Sequence, residues 1–300
     1  MISIIICTYN RDKYIYNALK SIAENDYPYS GYEIILIDNN CTDNTKAVCG
    51  QFNADYPEVV FRYVEEPDQG LSYARNRGVK ESTGEILVFV DDDATVFERY
   101  LFAIRSFFEQ HPAVLACGGP IIPVYETGKP KWMSYYTNLL LGGALYAGDK
   151  LKPFKNGRYP GGGNSALRKS VFEKYGLYNV ELGRKGTGLI GAEEKDLYDR
   201  LTKGGDTFYY LPEMGINHHI PAKKLTNDYF DELTYSLGKG ELIRTKSISS
   251  KEYNKRIFAE FIKWLASIVF LLWFTITLSP AKGIKLIRLR WNLSKGLLGK

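Results

Sequence analysis

Three consecutive carboxylates, Asp91, Asp92 and Asp93, follow an apolar run of strand length. A run that is apolar on both faces predicts a central strand of a covered sheet, most often a parallel one. In open α/β sheets, ligands bind outside the carboxyl ends of the strands. Carboxylates that lie close together repel one another, and a bound cation reduces this repulsion. Carboxylate oxygens are suitable ligands for Mg2+ or Mn2+, and these ions also bind the oxygens of a phosphate group. The pattern predicts a metal–diphosphate site at Asp91 and Asp93, with a solvated acidic turn that caps the next helix as the alternative.

Polar side chains also end the two strands predicted earlier in the chain. Thr8, Tyr9 and Asn10 follow the first strand, and Asp38 follows the second. Because the carboxyl ends of parallel strands converge, a stacked ring from Tyr9, the Asp38 carboxylate and the metal site would bind base, ribose and diphosphate in turn. A carboxylate can accept a hydrogen bond from the imide N–H of uracil, which favours a uridine nucleotide. The alternatives are a turn or N-cap role for Asp38 and ordinary packing for Tyr9.

Two pairs of ionisable residues lie further along the chain. Glu193 and Glu194 begin a predicted helix, and a charged first turn favoured by the helix dipole is the simpler explanation of that pair. His218 and His219 are a further metal candidate. Side chains of adjacent residues in extended chain point to opposite faces, so the two histidines are not expected to bind one ion together. A surface histidine is the alternative.

The elements that must position these residues alternate between strand and helix up to about residue 120. Residues 2–7 are rich in β-branched side chains, and residues 32–37 are apolar except for Glu33, so both predict strands. Between them, Ile15, Leu19 and Ile22 lie on one face of a predicted helix. A strand, a helix and a second strand in this order predict a right-handed β-α-β unit with two parallel strands. The fold class is therefore α/β, with a mostly parallel sheet flanked by helices, which by itself says little about function.

Residues 120–160 are rich in Gly, Pro, Tyr and Lys and are too long for a simple connection. Such segments usually serve as lids or substrate walls. Trp132 lies within this one and can supply a platform for a sugar ring, or equally a core contact.

Composition limits the class of protein further. The chain has 300 residues and a net charge of +5, which allow one large domain or a domain with an appendage. Cys7, Cys41, Cys49 and Cys117 have no paired metal spacing, so we expect free thiols in a reducing compartment and no zinc site. Met1 leads straight into a strand without a signal peptide, and we therefore expect the catalytic part to be cytoplasmic.

Residues 264–278 carry no charge, but the segment is shorter than the roughly 20 residues of a full membrane span. After Pro280 the chain has six basic residues and no acid. A single span would place this basic tail outside, against the positive-inside tendency. We therefore predict a re-entrant or interfacial anchor with both flanks cytoplasmic and the tail on anionic lipid, preceded by helices over residues 227–262. A helix buried against the catalytic domain is the alternative.

Taken together, the motifs resemble the family 2 glycosyltransferases with the GT-A fold. The segments that carry the resemblance are residues 4–11, 35–45, 70–78, 88–93, 162–164 and 191–197. They occur in the family's order and cover roughly residues 1–226. The resemblance implies a GT-A catalytic domain over 1–226, with a nucleotide-binding half over 1–118 and an acceptor-side half over 119–226. Residues 227–300 would form a helical, membrane-associating extension.

The resemblance also implies an activity, namely the inverting transfer of a sugar from a nucleotide diphosphate to a hydroxyl, assisted by Mn2+ or Mg2+. Asp91 and Asp93 would be the metal-binding DXD pair, and His218, whose position fits the family's pattern better than that of His219, would complete the metal shell. Asp38 would contact the base with Tyr9 beside it. The donor site implied in this way consists of Thr8, Tyr9, Asn10, Arg11, Asp38, Arg75, Asp91 and Asp92.

The general base would come from the acidic pair before the last helix of the catalytic domain. In the family this pair is usually Glu-Asp and its second member is the base, so Glu194 takes that position here with one more methylene. The longer side chain leaves open whether Glu193 or Glu194 reaches the acceptor. Gly162, Gly163 and Asn164 match the segment that lines the acceptor side, to which Trp132 is added from its place in the irregular segment.

The expected partners are a nucleotide-diphospho-sugar donor, with a UDP-sugar favoured, a glycan or lipid-linked acceptor, and an anionic membrane surface, with no nucleic acid. The implied setting is bacterial surface polysaccharide or glycolipid assembly at the cytoplasmic face of the cell membrane. One alternative is a sugar-nucleotide nucleotidyltransferase, although the segment from Thr8 to Arg11 lacks the glycine-rich phosphate loop usual in those enzymes. The other is a non-catalytic module that binds nucleotides or glycans.

Overall fold

The computed structural model describes residues 1–155 and 157–300. The chain forms two compact units. The sheet unit consists of residues 1–123, 145–180 and 194–219, and the helical unit of residues 124–144, 181–193 and 220–300.

The strands are β1 (Ile2–Thr8), β2 (Tyr32–Asp38), β3 (Phe61–Glu65), β4 (Ile86–Val90), β5 (Ala94–Val96), β6 (Ala116–Gly118), β7 (Ile121–Tyr125), β8 (Lys152–Pro153), β9 (Asn164–Arg168), β10 (Phe208–Tyr210) and β11 (Ile216–Ile220). The α-helices are α1 (Asp12–Ala23), α2 (Thr45–Asp55), α3 (Leu71–Glu81), α4 (Tyr100–Gln110), α5 (Tyr135–Gly142), α6 (Ser170–Tyr175), α7 (Glu193–Lys203), α8 (Asn227–Ile248), α9 (Ser250–Ile276) and α10 (Pro280–Leu298). Short 3-10 helices lie at Tyr29–Gly31 and Ala222–Leu225.

The main sheet has the strand order β3-β2-β1-β4-β9-β6-β10-β8. Strands β3, β2, β1 and β4 run parallel, which confirms the predicted strand–helix–strand unit. Strand β9 runs antiparallel to both β4 and β6, while β10 is parallel to β6. The strand that precedes the three carboxylates is therefore central, with a parallel neighbour on one side and an antiparallel neighbour on the other. A second sheet has the order β5-β11-β7.

The main sheet is covered by a hydrophobic core on each face. Ile4 and Ile6 of β1 pack with residues of α1, α2 and α4, while Ile5 packs with residues of α3, α6 and α7. Successive side chains of a strand point to opposite faces, so a continuous apolar run is what a sheet covered on both sides requires. The predicted helical face of Ile15, Leu19 and Ile22 is buried, as expected.

One element differs from the pattern of the sequence. The three carboxylates are followed by a short strand before the next helix: Ala94–Val96 form β5, and α4 begins at Tyr100. This strand pairs with β11, with Ala94 opposite His218. A short strand whose partner lies more than a hundred residues away leaves no periodic signal of its own.

The helical unit contains an antiparallel hairpin made of α9 and α10. The hydroxyl of Tyr253, near the start of α9, donates to the carbonyl of Leu297, near the end of α10, at 3.2 Å. The indole of Trp264 donates to Ser294 Oγ at 2.9 Å. The chain turns at Leu278, which has a left-handed φ of 54°. The predicted apolar segment 264–278 is therefore the second half of a longer helix and the turn that follows it.

Helix α8 starts at Asn227, where the predicted C-terminal extension begins. The division of the chain into residues 1–226 and 227–300 remains a prediction.

Candidate active site

The first two polar strand ends lie side by side. Strands β1 and β2 are parallel with Thr8 opposite Asp38, so the loops that follow them leave the same edge of the sheet. Asn10 adopts a left-handed φ of 55°, and its side-chain Oδ1 accepts a hydrogen bond from the Thr42 amide at 2.7 Å. This link holds the loop that carries Tyr9, which is partly exposed, against the loop after Asp38.

Both carboxylate oxygens of Asp38 are engaged by the protein. Oδ1 accepts a hydrogen bond from the Cys41 amide at 2.7 Å, and Oδ2 accepts one from the hydroxyl of Tyr63. Burial and this hydrogen bond raise the pKa of Tyr63 above its usual range, so the hydroxyl keeps its proton and remains a donor. Tyr63 lies on β3 and is not among the site residues that the sequence predicts, because only the order of strands in the sheet brings it beside Asp38.

Asp91, Asp93 and His218, the predicted metal ligands, lie together and form a candidate cation site. One ligand atom from each of the three residues lies within 4.8 Å of the others. His218 Nε2 is 3.1 Å from Asp93 Oδ1, and the pairing of β11 with β5 fixes this approach. His219, the next residue, contacts the same region through its backbone, since its amide donates to the Asp93 carbonyl at 2.8 Å. Two carboxylates and an imidazole suit Mn2+ or Mg2+, so the residues present fit a divalent cation.

Asp92 and Arg11 lie beside this cluster. The guanidinium nitrogens of Arg11 are 3.7 Å from a carboxylate oxygen of Asp92 and 3.7 Å from one of Asp93. Burial, followed by the neighbouring Asp93 carboxylate, raises the pKa of Asp92 well above its usual range. The structure thus concentrates negative charge where a cation is expected, and Arg11 offsets part of it.

Glu194 faces a buried arginine at the first turn of α7. Nη2 of Arg75 is 2.9 Å from Oε1 of Glu194, and the guanidinium also lies over the ring of Tyr178, 5.5 Å from its centroid. Glu193 is almost fully buried, and its carboxylate accepts a hydrogen bond from the amide of Ala192 at 3.0 Å. Of the two candidate bases, Glu194 is the one whose carboxylate is partly exposed.

The glycines before β9 lie against these carboxylates. A Cβ atom placed on Gly162 would be 1.6 Å from Oε1 of Glu194, and one placed on Gly163 would be 2.0 Å from Oδ2 of Asp91. The pairing of β4 with β9 positions Gly163 beside Asp91, since the Asp91 amide donates to the Gly163 carbonyl at 3.3 Å. The space that these glycines leave open is therefore filled by the protein's own carboxylates.

Asn164 is fully buried, and its side chain is committed to the protein. Its amide nitrogen donates to the carbonyls of Pro120 and Met214 at 3.0 and 2.9 Å, and its oxygen accepts from the hydroxyl of Tyr100. Asn164 holds the backbone around the site in place, and its direct contact with an acceptor stays a prediction.

Trp132 belongs to the helical unit. Its ring packs edge-on against Phe230, with centroids 5.8 Å apart, and the ammonium of Lys285 lies 4.4 Å from its centroid. These contacts are those of a core residue within that unit, and a role of Trp132 in acceptor binding also stays a prediction.

Comparison with known proteins supports the family resemblance. The family model described as Glycosyl transferase family 2 matches residues 3–176. A glucosyl-dolichyl phosphate glucuronosyltransferase from Haloferax volcanii is 25% identical over 223 residues, covering 73% of this chain and 69% of the relative. The succinoglycan biosynthesis protein ExoM from Rhizobium meliloti is 25% identical over 253 residues, covering 82% of this chain and 76% of ExoM.

Solved structures show the same fold. The mannosyltransferase PcManGT from Pyrobaculum calidifontis, in complex with GDP-Man and Mn2+, aligns with a TM-score of 0.66 at 18% identity, covering 100% of this chain and 87% of PcManGT. A structure of S. aureus TarS in complex with UDP-GlcNAc aligns with a TM-score of 0.55 at 15% identity, covering 100% of this chain and 92% of that one. The predicted GT-A-like α/β fold is confirmed. With a family model that matches more than half of its residues, this chain belongs to glycosyl transferase family 2 and is a glycosyltransferase.

Proposed function

We propose that this protein is an inverting, metal-dependent glycosyltransferase that transfers a sugar from a UDP-sugar to a hydroxyl of a lipid-linked glycan. One observation carries the proposal: a candidate cation site at Asp91, Asp93 and His218 lies close to a candidate base, Glu194. The contacts of Gly163 with Asp91 and of Gly162 with Glu194 link the two groups. Because consecutive Cα atoms are about 3.8 Å apart, the two carboxylates are held within roughly 10 Å of one another.

This separation suits a single displacement at the anomeric carbon. Glu194 takes the proton of the acceptor hydroxyl, and the hydroxyl oxygen bonds to the anomeric carbon as the bond to the diphosphate oxygen breaks. The electron pair of the broken bond leaves with the nucleoside diphosphate, so the configuration at the anomeric carbon inverts. Asp91, Asp93 and His218 would hold a divalent cation, which would supply the positive charge that stabilises the leaving diphosphate.

A uridine nucleotide is supported by Asp38, whose carboxylate lies at the strand end expected to meet the base. The hydrogen bonds from the Cys41 amide and the Tyr63 hydroxyl fix its orientation, and each oxygen retains a further lone pair for the imide N–H of uracil. The TarS structure in complex with UDP-GlcNAc is compatible with this choice. The PcManGT structure, in complex with GDP-Man and Mn2+, shows that the fold also accommodates another base.

The lipid-linked acceptor is supported by the name of the Haloferax volcanii relative and by the surface of α9. Among the described residues, α9 is the helix that is long and apolar enough to cross a membrane. Its apolar side chains are mostly exposed, and at its end Ile276 and Leu278 are 76% and 91% exposed. A helix buried against the rest of the chain would not leave these side chains in contact with solvent.

The hairpin of α9 and α10 suits insertion from one side of the membrane. The uncharged part of α9, residues 264–276, is about 20 Å long, which is less than the roughly 30 Å hydrocarbon core. Since α10 runs back along α9, the basic end of the chain returns to the side from which α9 starts. We therefore place the hairpin in the cytoplasmic leaflet of the cell membrane, with its turn at Leu278 inserted.

The basic tail contributes less free charge than its composition indicates. Arg288 forms an ion pair with Asp231, Arg290 forms one with Glu260, and the ammonium of Lys285 donates to Asn227 at 2.7 Å. We therefore assign most of the membrane affinity to apolar insertion and a smaller part to anionic lipid.

Replacement of Glu194 by Gln tests the proposed chemistry. Gln has the same shape but does not accept the proton, so hydrolysis of a UDP-sugar with Mn2+, in which water replaces the acceptor, should slow by about 100-fold or more. The affinity for UDP and Mn2+, measured by calorimetry, should stay the same. The control is Glu85→Gln, a change at an exposed glutamate outside the site. Unchanged hydrolysis in Glu194→Gln would remove the assignment of the base.

A further inference from the structure

Gly162 and Gly163 are consecutive residues that meet two different parts of the proposed site. Gly162 meets the carboxylate of Glu194 and Gly163 meets the carboxylate of Asp91. Neither glycine has the left-handed φ that would itself require glycine. What distinguishes these positions is the room that a missing Cβ leaves for a neighbouring side chain.

Because Gly162 has no Cβ, the end of the Glu194 side chain occupies the space where that Cβ would lie. A Cβ there would lie 1.6 Å from Oε1, 2.0 Å from Cδ and 2.7 Å from Cγ of Glu194. Real Cβ atoms essentially never approach other heavy atoms so closely, so the carboxylate and part of its stem would have to move. Helix α7 itself is held elsewhere, since Leu197 and Leu201 are buried and Tyr198 stacks on Tyr159 with centroids 5.5 Å apart. An alanine at residue 162 would therefore displace the carboxylate while the helix stays in place.

At Gly163 the missing atom makes room for Asp91. A Cβ there would lie 2.0 Å from Oδ2, 2.1 Å from Cγ and 2.6 Å from Oδ1 of Asp91. The aspartate side chain is short and its Cα is fixed by the pairing of β4 with β9, so its carboxylate can only rotate away. That rotation would move it out of the cluster with Asp93 and His218.

We propose that these two glycines are positioning residues with separate tasks: Gly162 sets the place of the base Glu194, and Gly163 sets the place of the cation ligand Asp91. The inference rests on the proposed function, because it assigns the same roles to Glu194 and Asp91. It goes beyond that function by explaining the glycines through the protein's own carboxylates, where a role in lining the acceptor site was expected.

Three single substitutions in the same loop separate the two tasks. Gly162→Ala should lower the rate of UDP-sugar hydrolysis by about 100-fold, the scale expected when a reacting group is misplaced by about 1 Å, with unchanged affinity for Mn2+ and UDP. Gly163→Ala should weaken the binding of Mn2+, measured by calorimetry on the protein alone and with UDP, by about 10- to 100-fold. Gly161→Ala is the matched control, because a Cβ there would meet only the end of the Ile121 side chain.

A compensating change tests the contact at Gly162 directly. Glu194→Asp shortens the side chain by one methylene and so removes the outermost atoms that the new Cβ would meet. The double variant Gly162→Ala with Glu194→Asp should therefore recover part of the turnover that Gly162→Ala loses. A residue needed only for folding would show no such recovery, and thermal unfolding of each variant checks that the fold is intact.

The outcomes are distinct. The inference is overturned if Gly162→Ala and Gly163→Ala behave like Gly161→Ala, if both lose binding and turnover together, or if Glu194→Asp brings no recovery. If the unmodified protein shows no Mn2+-dependent binding of UDP, the proposed function fails instead. In that case the effect of Gly163→Ala on Mn2+ binding alone still shows whether the glycine positions Asp91.

Discussion

Asp38 is held by two hydrogen bonds before any ligand arrives. The amide of Cys41 comes from its own loop, whereas the hydroxyl of Tyr63 comes from β3, the neighbouring edge strand of the sheet. An aspartate fixed in this way loses little side-chain freedom when it meets a nucleotide, which favours binding. We therefore predict that Tyr63 affects nucleotide binding through Asp38.

Replacement of Tyr63 by Phe removes one of these two hydrogen bonds. A hydrogen bond to a charged group contributes about 1.5 to 3 kcal/mol, so we expect the affinity for UDP to fall by about 10-fold or more, with turnover at saturating donor little changed. Calorimetry with UDP and Mn2+ measures the effect. The matched control is Tyr16→Phe, which removes a similar tyrosine–aspartate hydrogen bond to Asp55 on the surface. Equal affinities in both variants would contradict the positioning role of Tyr63.

The sequence identifies candidate site residues that directly follow a strand. It does not identify side chains that reach the site from other strands or helices. Asp91 and Asp93 were identified because they stand directly after an apolar strand. The contacts of Tyr63 and of Gly162 depend on which strands and helices become neighbours. Tyr63 and Asp38, for example, are 25 positions apart in the sequence. The motif places Asn164 on the acceptor side, which stays a prediction; that its side chain bonds to the backbone at Pro120 and Met214 depends on tertiary contacts.

Among the elements, the hairpin of α9 and α10 differs most from ordinary packing. Most apolar side chains of α9 are exposed, while the charged Glu260 is buried and accepts hydrogen bonds from Arg256 of α9 and Arg290 of α10. A hairpin with charges inside its base and apolar residues outside is suited to an apolar surrounding.

Two acidic substitutions on the exposed face of α9 test this property. Val269 and Leu272 are 64% and 60% exposed, so Val269→Asp with Leu272→Asp should leave the fold intact. Because charges at the depth of the acyl chains are costly, flotation with liposomes that contain anionic lipid should be lost or strongly reduced. Val60→Asp, at an exposed apolar position of the sheet unit, is the control and should float as the unmodified protein does. Flotation of the double variant would show that α9 does not insert.

The apolar segment itself was evident from the sequence, but its geometry was not. Residues 264–278 were expected to form a short anchor. Residues 264–276 are the second half of a helix of 27 residues, and the turn that follows contains Leu278. Helix α10 runs antiparallel to α9, and three of its basic residues pair with other residues of the helical unit. These features depend on tertiary contacts, which cannot be predicted from the composition.

On the scale of the whole molecule, the alternation of strands and helices was sufficient to predict an α/β fold with a mostly parallel sheet. The parallel half, β3-β2-β1-β4, follows from local patterns and short crossovers. The antiparallel insertion of β9 and the pairing of β5 with β11 join segments far apart in sequence. These distant pairings complete the site, since they bring Gly163 to Asp91 and His218 to Asp93.

The central claim is that Asp91, Asp93 and His218 bind a divalent cation through which the protein holds a nucleoside diphosphate. The most direct measurement is calorimetry of UDP, GDP and dTDP with Mn2+ or with EDTA, on the unmodified protein, on Asp93→Ala and on Asp26→Ala, a control at an exposed aspartate. We predict that UDP binds with Mn2+ and not with EDTA, and that Asp93→Ala weakens this binding by about 10- to 100-fold while Asp26→Ala does not. Binding of UDP that persists in EDTA or in Asp93→Ala would contradict the account.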